Sequence, residues 1–132
     1  AKNVQPQRIY VANTKEGLEK IDQVTICRYN APTVLIVCYS NDGIYTYPGT
    51  NINSGAEDAA IVATHMMLGA ADVGVDSCWL NRFNPDECKR VFNLPEDETP
   101  VLLLDLGYTD NMGPLLNHES IKPIEETVKY IK

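Results

Sequence analysis

Histidine is scarce in this sequence, and clusters of basic residues are absent from it. Its 132 residues include two histidines, and 11 lysines and arginines stand against 18 aspartates and glutamates, for a net charge of −7. No run of five basic residues occurs. Binding to a nucleic-acid backbone needs concentrated Lys and Arg, and a His-based metal site needs several imidazoles. The composition therefore argues against a nucleic-acid partner and against such a metal site.

Long apolar runs are missing too. The longest, such as Val34 to Cys38, fall far short of the roughly 20 residues that a membrane-spanning helix needs. The first ten residues are polar and do not have the pattern of a signal peptide. We therefore expect no membrane partner and a cytoplasmic location.

The cysteines lack the spacing of a metal or redox centre. None belongs to a C-x-x-C pair, and none has a histidine at zinc-module spacing. Three lie in or beside apolar stretches, where unpaired cysteine is usually buried. The pattern predicts free thiols in a reducing compartment. The four residues are Cys27, Cys38, Cys78 and Cys88.

The common catalytic motifs are also absent. There is no G-x-S-x-G nucleophile elbow, no phosphate-binding loop and no G-x-G-x-x-G. Asp58, His65 and Asp72 are spaced by seven, which places them on one stripe of a helix. This stripe is either a histidine base tuned by carboxylates or a solvated or partner-facing seam. Spacing alone does not make a triad, so we favour the seam.

Strand and helix patterns alternate along the chain, and its length suits a single domain, residues 1–132. Strands are predicted at RIYVANT, APTVLIVCY, DSCWL and PVLLLDLGY. Helices are predicted at KEGLEKI, at NPDECKRVF with Asn84 as the cap, and at PIEETVKYI from Pro123. Two strands are continuous apolar runs, typical of strands covered on both faces. The pattern indicates a layered α/β or α+β sandwich.

A long apolar helix is predicted from Glu57 to Val73. Ser54, with Glu57 three residues later, has the pattern of a capping box, and Gly74 is placed to end the helix. Apolar residues occupy nearly every face, so we expect the helix to be buried by the rest of the domain or by a partner.

The segment from Ser40 to Ser54 is dense in Asn, Gly, Ser and Pro, which predicts a loop. Unstructured connections of this length are usually functional. Tyr45 and Tyr47 lie near its tip, and tyrosine rings can stack on flat ligands. We therefore expect these two tyrosines to contact the substrate.

Several blocks of the sequence together resemble the nitroreductase family of flavin enzymes. The blocks are NAPTVLIVC, the long stretch DAAIVATHMMLGAADVGVDSCWLNRFNPDECKRVFNLPED, then PVLLLDLGY and KPIEETV. They follow one another in the family's order and with compatible spacing. The opening AKNVQPQRIY is similar to the family's Asn-x-Gln-Pro segment, so the resemblance covers nearly the whole chain.

The resemblance implies an α+β, three-layer sandwich with a central, mostly antiparallel sheet flanked by helices. It implies an obligate homodimer through the long buried helix 57–73, so that Ala63→Glu would place a charge at the dimer seam. It also implies FMN in clefts at the interface. Reducing equivalents would pass from NAD(P)H through the flavin to a nitroaromatic, a quinone or a similar small-molecule acceptor. The flavin carries this chemistry, so no catalytic side chain is expected.

Three groups of residues match family positions that contact FMN. Asn3 and Gln5 match the segment at the polar edge of the flavin, and Lys122 lies near a basic residue that neutralises the phosphate. The strand-end segment along the ring comprises Trp79, Leu80, Asn81 and Arg82. Composition alone allows other interpretations: a frayed terminus for the two amides, a core position for the tryptophan and an ordinary surface position for the lysine.

The chain departs from the family pattern where the phosphate is held. The family's first helix, with an Arg-Arg-Ser-like motif, has no counterpart here, so we expect an N-terminally short domain. Gln7 stands where an aromatic residue often follows Gln-Pro, and Glu119 and Ile121 stand where a second basic residue is common. The alternative to an FMN enzyme is therefore a flavin-poor or non-catalytic dimeric ligand-binding module.

Overall fold

The structure, a computed structural model, describes residues 1–109 and 120–131. Strands and helices alternate through these residues, close to the predicted order. The elements are β1 (Gln7–Ala12), α1 (Lys15–Val24), β2 (Thr33–Ser40), α2 (Gly55–Asp72), β3 (Asp76–Leu80), α3 (Pro85–Phe92), β4 (Glu98–Gly107) and α4 (Ile124–Thr127).

The strands form one antiparallel sheet in the order β1-β2-β4-β3. Helices α1 and α3 cover one face through a core that includes Ile21 and Cys88. Helix α2 covers the other face through Ala59 and Ala63. This is the α+β, three-layer sandwich that the sequence predicts, and the prediction is confirmed.

The register defines two ends of the sheet. At the Ser40 end, β1 begins, β2 ends and β4 begins, with Gln7 opposite Tyr39 and Ser40 opposite Glu98. At the Gly107 end, β4 ends and β3 begins, with Asp76 opposite Gly107. Because β3 runs antiparallel to β4, the residues that follow Leu80 continue toward the Ser40 end.

Strand β4 begins two residues earlier than the sequence predicts. Pro100 has no N–H and would be expected to start the strand rather than lie within it. The structure accommodates it at a register shift, where Val37 pairs with Leu102 and Cys38 pairs with Pro100. The extra, unpaired residue on β4 is Val101, beside the proline, and the pairing continues beyond this irregularity to Glu98.

The start of α2 corrects the predicted capping box. The Ser54 hydroxyl does not cap the helix but donates to Asp58 Oδ2 at 2.7 Å. Asn53 Oδ1 instead accepts from the Gly55 N–H at 3.0 Å. The Glu57 carboxylate accepts a hydrogen bond from Tyr47 of the loop, so neither side chain of the predicted box makes its capping bond.

The end of α2 follows the prediction. Gly74 has φ +76°, a left-handed conformation that glycine adopts without a Cβ penalty. Its N–H donates to Ala71 O at 3.0 Å, and the Val75 N–H donates to Ala70 O at 2.8 Å. These two bonds form a Schellman motif that satisfies the last carbonyls.

Only one face of α2 is buried within its own chain. Gly55, Ala59 and Ala63 are buried, whereas Ile61 and Leu68 are 57% and 64% exposed. The expectation that Ala63 lies at the dimer seam is wrong, because its side chain packs under the helix against the sheet. A charge at Ala63 would disrupt the domain core, so Ile61 and Leu68 are the residues that probe the outer face.

The C-terminal segment is less helical than predicted. Helix α4 spans four residues, and residues 128–131 continue without regular structure. All of residues 120–131 are exposed. Among the described residues, no helix is both long enough and apolar enough to span a membrane.

The four cysteines are free thiols, as the sequence predicts. Cys27, Cys38 and Cys88 are buried, and Cys78 is exposed. Burial raises the pKa of Cys38 to about 12 and that of Cys88 to about 11. These two core thiols therefore stay protonated and chemically inert near neutral pH.

The close approach of α2 to the sheet gives a test of the fold. A Cβ atom at Gly55 would overlap the ring carbons of Tyr39, so Gly55→Ala should lower the free energy of unfolding by about 1–3 kcal/mol. Gly69→Ala, in the same helix with no atom near the added Cβ, should leave stability unchanged or raise it by up to about 1 kcal/mol. Urea unfolding of both variants measures the difference. Equal stability of the two would contradict the packing of α2 on Tyr39.

Candidate functional site

Asn3 and Gln5 lie just before β1, at the Ser40 end of the sheet. The Ser40 N–H donates to Pro6 O at 2.8 Å, which ties this segment to the end of β2. Gln5 Nε2 donates to Asn3 Oδ1 at 3.0 Å. Within the described part of the chain, Asn3 Nδ2 and Gln5 Oε1 have no hydrogen-bond partner. The pair therefore presents one donor and one acceptor outward.

The backbone of this segment is unusual. Lys2, Asn3 and Gln5 have φ of 53°, 55° and 54°, in the left-handed region. Such residues cost of the order of 1–3 kcal/mol each and tend to cluster at functional sites. Three of them within four positions indicate a segment whose shape is set for contact with something other than the sheet.

The predicted substrate tyrosines lie beside these amides. Lys2 Nζ stands 5.3 Å from the centre of the Tyr45 ring. The Tyr45 and Tyr47 rings meet edge to face, with centroids 5.5 Å apart. Their loop is partly ordered by a bridge between Thr46 and Asn53. The structure thus brings the two tyrosines to the same end of the sheet as Asn3 and Gln5.

Glu57, at the start of α2, fixes Tyr47. The Tyr47 hydroxyl donates to both carboxylate oxygens at 2.8 Å. This hydrogen bond, with smaller contributions from burial and from the carboxylate charge, raises the pKa of Tyr47 above its ordinary value. The phenol is therefore held in its neutral, hydrogen-bonding form.

The second predicted group lies at the end of β3. Trp79 Nε1 donates to Asn81 Oδ1, which leaves the amide nitrogen of Asn81 outward. The Trp79 ring packs against the core beneath α2, so the core interpretation of this residue holds in part. Leu80 is 5% exposed and belongs to the opposite core, so only its backbone can meet a ligand.

Arg82 and Lys122, the two basic side chains among the predicted FMN contacts, lie in different surroundings. The Arg82 carbonyl accepts from Thr25 Oγ1 at 2.8 Å, which anchors the backbone while the residue remains exposed. Lys122 lies in the exposed 120–131 segment, and the hydrogen bonds that the structure gives this segment are internal to it. The structure does not bring Lys122 to either of the other groups. Glu119 lies outside the described residues.

The two amide-bearing groups stand at opposite edges of the sheet. Asn3 and Gln5 precede β1, and Trp79 and Asn81 belong to the end of β3. Three interstrand spacings separate β1 from β3, and at about 4.8 Å each this amounts to about 14 Å. Within one chain the two predicted groups are therefore separate candidate half-sites: Asn3 and Gln5 lie beyond the Ser40 end of the sheet, whereas Trp79 and Leu80 pair with the middle of β4.

The histidine stripe on α2 does not form a catalytic triad. His65 Nδ1 lies 2.8 Å from Ile61 O, and because a carbonyl only accepts, this ring nitrogen carries the hydrogen. Asp58 instead accepts from Ser54 Oγ. Within residues 1–109 and 120–131, no three His, Cys, Asp or Glu side chains are grouped to hold a metal ion.

Sequence reasoning missed the role of Glu57 at the site. Its position three residues after Ser54 assigned it to a helix cap, whereas the structure assigns it to Tyr47. The available signal was the tyrosine-rich loop immediately before the helix: its Tyr47 hydroxyl pairs with Glu57, and the Ser54 N–H that the predicted box assigns to Glu57 donates to Tyr45 O at 3.0 Å instead.

Comparison with known proteins places these features in a family. A nitroreductase-family structure from Clostridium difficile 630 is 34% identical, with a TM-score of 0.88, and the match covers 96% of this chain and 74% of that one. A structure from Exiguobacterium sibiricum, solved in complex with FMN, is 19% identical with a TM-score of 0.80, over 99% of this chain and 79% of that one. At that identity the second match shows the fold alone.

A curated relative also points to the nitroreductase family. A Methanothermobacter thermautotrophicus protein, named "Putative NADH dehydrogenase/NAD(P)H nitroreductase", is 27% identical over 116 residues. The match covers 82% of this chain and 58% of the relative, so the chain spans little more than half of that protein's length. The nitroreductase family model matches residues 28–108, more than half of the sequence. On that match, and on the 34% identity to the Clostridium protein, the chain belongs to the nitroreductase family.

Proposed function

We propose that this protein is an FMN-dependent oxidoreductase. It would pass reducing equivalents from NAD(P)H, through the flavin, to a nitroaromatic, a quinone or a similar small acceptor. The observation that carries the proposal is family membership, with the match to the Clostridium protein extending over 96% of the chain. The FMN bound to the Exiguobacterium fold neighbour supports the choice of cofactor.

The donor set of the half-sites suits a flavin. An isoalloxazine ring offers both hydrogen-bond donors and acceptors along its polar edge, and amide side chains can pair with either. Asn3 Nδ2, Gln5 Oε1 and the amide nitrogen of Asn81 are outward groups of the required kinds. Trp79 holds Asn81 in place through its own N–H. Asn3, Gln5 and the backbone of Leu80 to Arg82 would hold the ring.

The separation of the half-sites supports a site shared between two copies. The strands carrying them are about 14 Å apart by strand spacing, at opposite edges of the sheet. Asn3 and Gln5 of one copy would then meet the Trp79 to Arg82 segment of the other. Each copy would orient the ring from one side and exclude water from it.

Exposed apolar surface supports a homodimer through helix 57–73. Ile61 and Leu68 project from the outer face of α2 at 57% and 64% exposure. A second exposed apolar set lies in the 120–131 segment, where Tyr130 is 89% exposed. Extended apolar patches of this kind mark interaction surfaces rather than ordinary solvent-facing surface.

The chain's own residues would bind and orient the acceptor and the cofactor, and bound FMN would supply the redox chemistry. Tyr45 presents an edge-to-face aromatic wall with Tyr47. Because the Tyr47 O–H is donated to Glu57, its phenol oxygen is left to accept a hydrogen bond from the substrate. Both tyrosines would therefore position the flat acceptor rather than transfer protons.

Binding of the FMN phosphate requires positively charged side chains, and this chain has few candidates for that role. Arg82 and Lys122 are exposed, and we propose that they contact the phosphate through charge-assisted bonds. If they do not suffice, the alternative is a flavin-poor dimeric module that binds another flat ligand between the same half-sites. For the compartment we propose the cytoplasm, which suits four free thiols.

Flavin binding by this chain is the first test. Mixed with FMN, the protein should bind about one flavin per chain and quench its fluorescence, and the complex should oxidise NADH or NADPH with a quinone or nitroaromatic acceptor. Asn81→Ala removes the amide and releases Trp79, so FMN affinity should fall roughly threefold to tenfold. Fluorescence titration measures both affinities.

Gln23→Ala is the matched control. Gln23 lies on α1, and its amide donates only to Glu19 O of the same helix, so its loss should leave FMN affinity unchanged. A protein that stays colourless and binds no added FMN would contradict the proposed function and favour the flavin-poor module. Equal losses in both variants would remove Asn81 from the site.

The homodimer has its own test. Leu68→Glu would bury an unpaired charge at the proposed interface, so the variant should sediment as a monomer where the unmodified chain sediments as a dimer. Ile26→Glu is the control, because Ile26 is 80% exposed and follows α1 on the other side of the sheet. Sedimentation velocity at several concentrations separates the cases. A dimeric Leu68→Glu protein would show that α2 is not the interface.

A further inference from the structure

A pocket at the Gly107 end of the sheet lies away from Asn3 and Gln5 and adjoins the other half-site, since Cys78 in its wall directly precedes Trp79. It has a volume of about 520 Å³, within the range of small-molecule sites. Its walls come from the α1–β2 connection, the start of β3 and the end of β4, and include Arg28, Tyr29, Pro32, Cys78, Asp105 and Tyr108. Of the proposed flavin contacts, Asn3 and Gln5 lie at the opposite end of the sheet, and the chain from Trp79 to Arg82 leads away from the pocket toward that end.

Asp105 at this pocket is a buried carboxyl group without a partner. The residue is 4% exposed, and neither carboxylate oxygen has a hydrogen bond or contact with solvent. It lies on the central strand β4, opposite Val34 on one side and Cys78 on the other. Buried carboxylates are otherwise paired, because an unpaired buried charge is strongly unfavourable.

The nearest cation is occupied elsewhere. Arg28 donates to both oxygens of Asp22 at 2.6 and 2.7 Å, and to Ala31 O at 3.0 Å. Burial raises the pKa of Asp105 to about 7, and the Arg28 charge offsets that rise only in part. Cys78 is not a compensating partner, since burial and the Asp105 charge both raise the pKa of its thiol.

The rim of the pocket adds aromatic surface. Tyr29 is 72% exposed and Tyr108 is 78% exposed. Tyr29 and Asn30 both have positive φ, 50° and 61°, so two consecutive left-handed residues shape the loop at the rim. An acidic floor below tyrosine rings is the combination that recognises an organic cation, through an ion pair and cation–π contact.

We propose that this pocket binds a small organic cation, a primary ammonium or a guanidinium, whose N–H groups pair with the Asp105 carboxylate. Asp105 is closed to solvent in this conformation, so entry requires the rim loop at Tyr29 and Asn30 to shift and admit the cationic group. A guanidinium or ammonium fits better than a quaternary amine because it supplies the hydrogen bonds that both carboxylate oxygens lack. The proposal is independent of flavin.

Titration of the purified chain with n-butylammonium and with agmatine tests the site. Amide signals in two-dimensional NMR should shift saturably for residues 28–32 and 105–109, and not with n-butanol, the neutral analogue. Asp105→Asn should weaken cation binding at least tenfold. Asp72→Asn, a carboxylate at the exposed end of α2, is the control and should bind as the unmodified chain does.

The pH dependence gives a second readout. With the Asp105 pKa at about 7, the ionised fraction rises about tenfold between pH 6 and pH 8, and cation affinity should rise with it. In Asp105→Asn this dependence should disappear. Other titratable or charged groups at the pocket are Arg28, Tyr29, Asp76, Cys78 and Tyr108.

Without ligand, the free energy of unfolding should change with pH in the direction opposite to the cation affinity. The folded-state pKa of Asp105 lies above its ordinary value of 3.8, so the folded chain binds more protons between about pH 4 and pH 7. Its free energy of unfolding should therefore fall as the pH rises through that window, relative to Asp105→Asn. Should Asp105→Asn not fold, Asp105→Leu continues the apolar run of β4 and serves in its place.

Three results would overturn the proposal: no saturable shift with either cation at pH 8, equal binding by the Asp105 variant, or equal binding of n-butanol. Neither flavin content nor oxidoreductase activity enters any of these measurements. The cation site and the proposed flavin function therefore stand or fall separately.

Discussion

The pairing of β2 with β4 is the constraint on which the rest of the structure depends. Alternate residues of β2 enter different cores: Val34, Ile36 and Cys38 face α1 and α3, and Leu35 and Val37 face α2. A shift by one residue would exchange the two sets. The apolar side chains that fix this register each contribute about 1.5–3 kcal/mol when buried. Both helical layers, and the edges on which the functional residues lie, are positioned by this one ladder.

The ladder also explains why one chain holds two half-sites. With β2 and β4 at the centre, β1 and β3 become edges, so the residues before β1 and those after β3 lie on opposite sides of the sheet. Neither group can close around a flat ring by itself. The outer face of α2, with Ile61 and Leu68 exposed, is the surface through which the proposed homodimer would bring the two groups together.

The strands and most helix boundaries followed from sequence because local signals agreed with the tertiary fold. The Asn84 cap is an example, since its side chain accepts from the N–H groups of Asp86 and Glu87 as expected. The capping box at Ser54 failed because a distant group, Tyr47, took Glu57. The sign of that competition in the sequence is the tyrosine-rich loop just before the helix, which the capping pattern does not take into account. The half-site residues could be named only by family resemblance, and their placement on opposite edges required the strand order.

Asp105 departs from the local strand pattern in a way that is visible in the sequence itself. It is the one charged residue in PVLLLDLGY, a run otherwise typical of a buried strand. In the strand pattern it is only a polar interruption. In the structure it lines a pocket, and its carboxylate oxygens have no hydrogen-bond partner. Natural sequences depart from local consistency mainly at functional sites. An apolar residue there would fill the strand at lower free energy, and the proposed cation would supply the ion pair that the described residues do not give this carboxyl group.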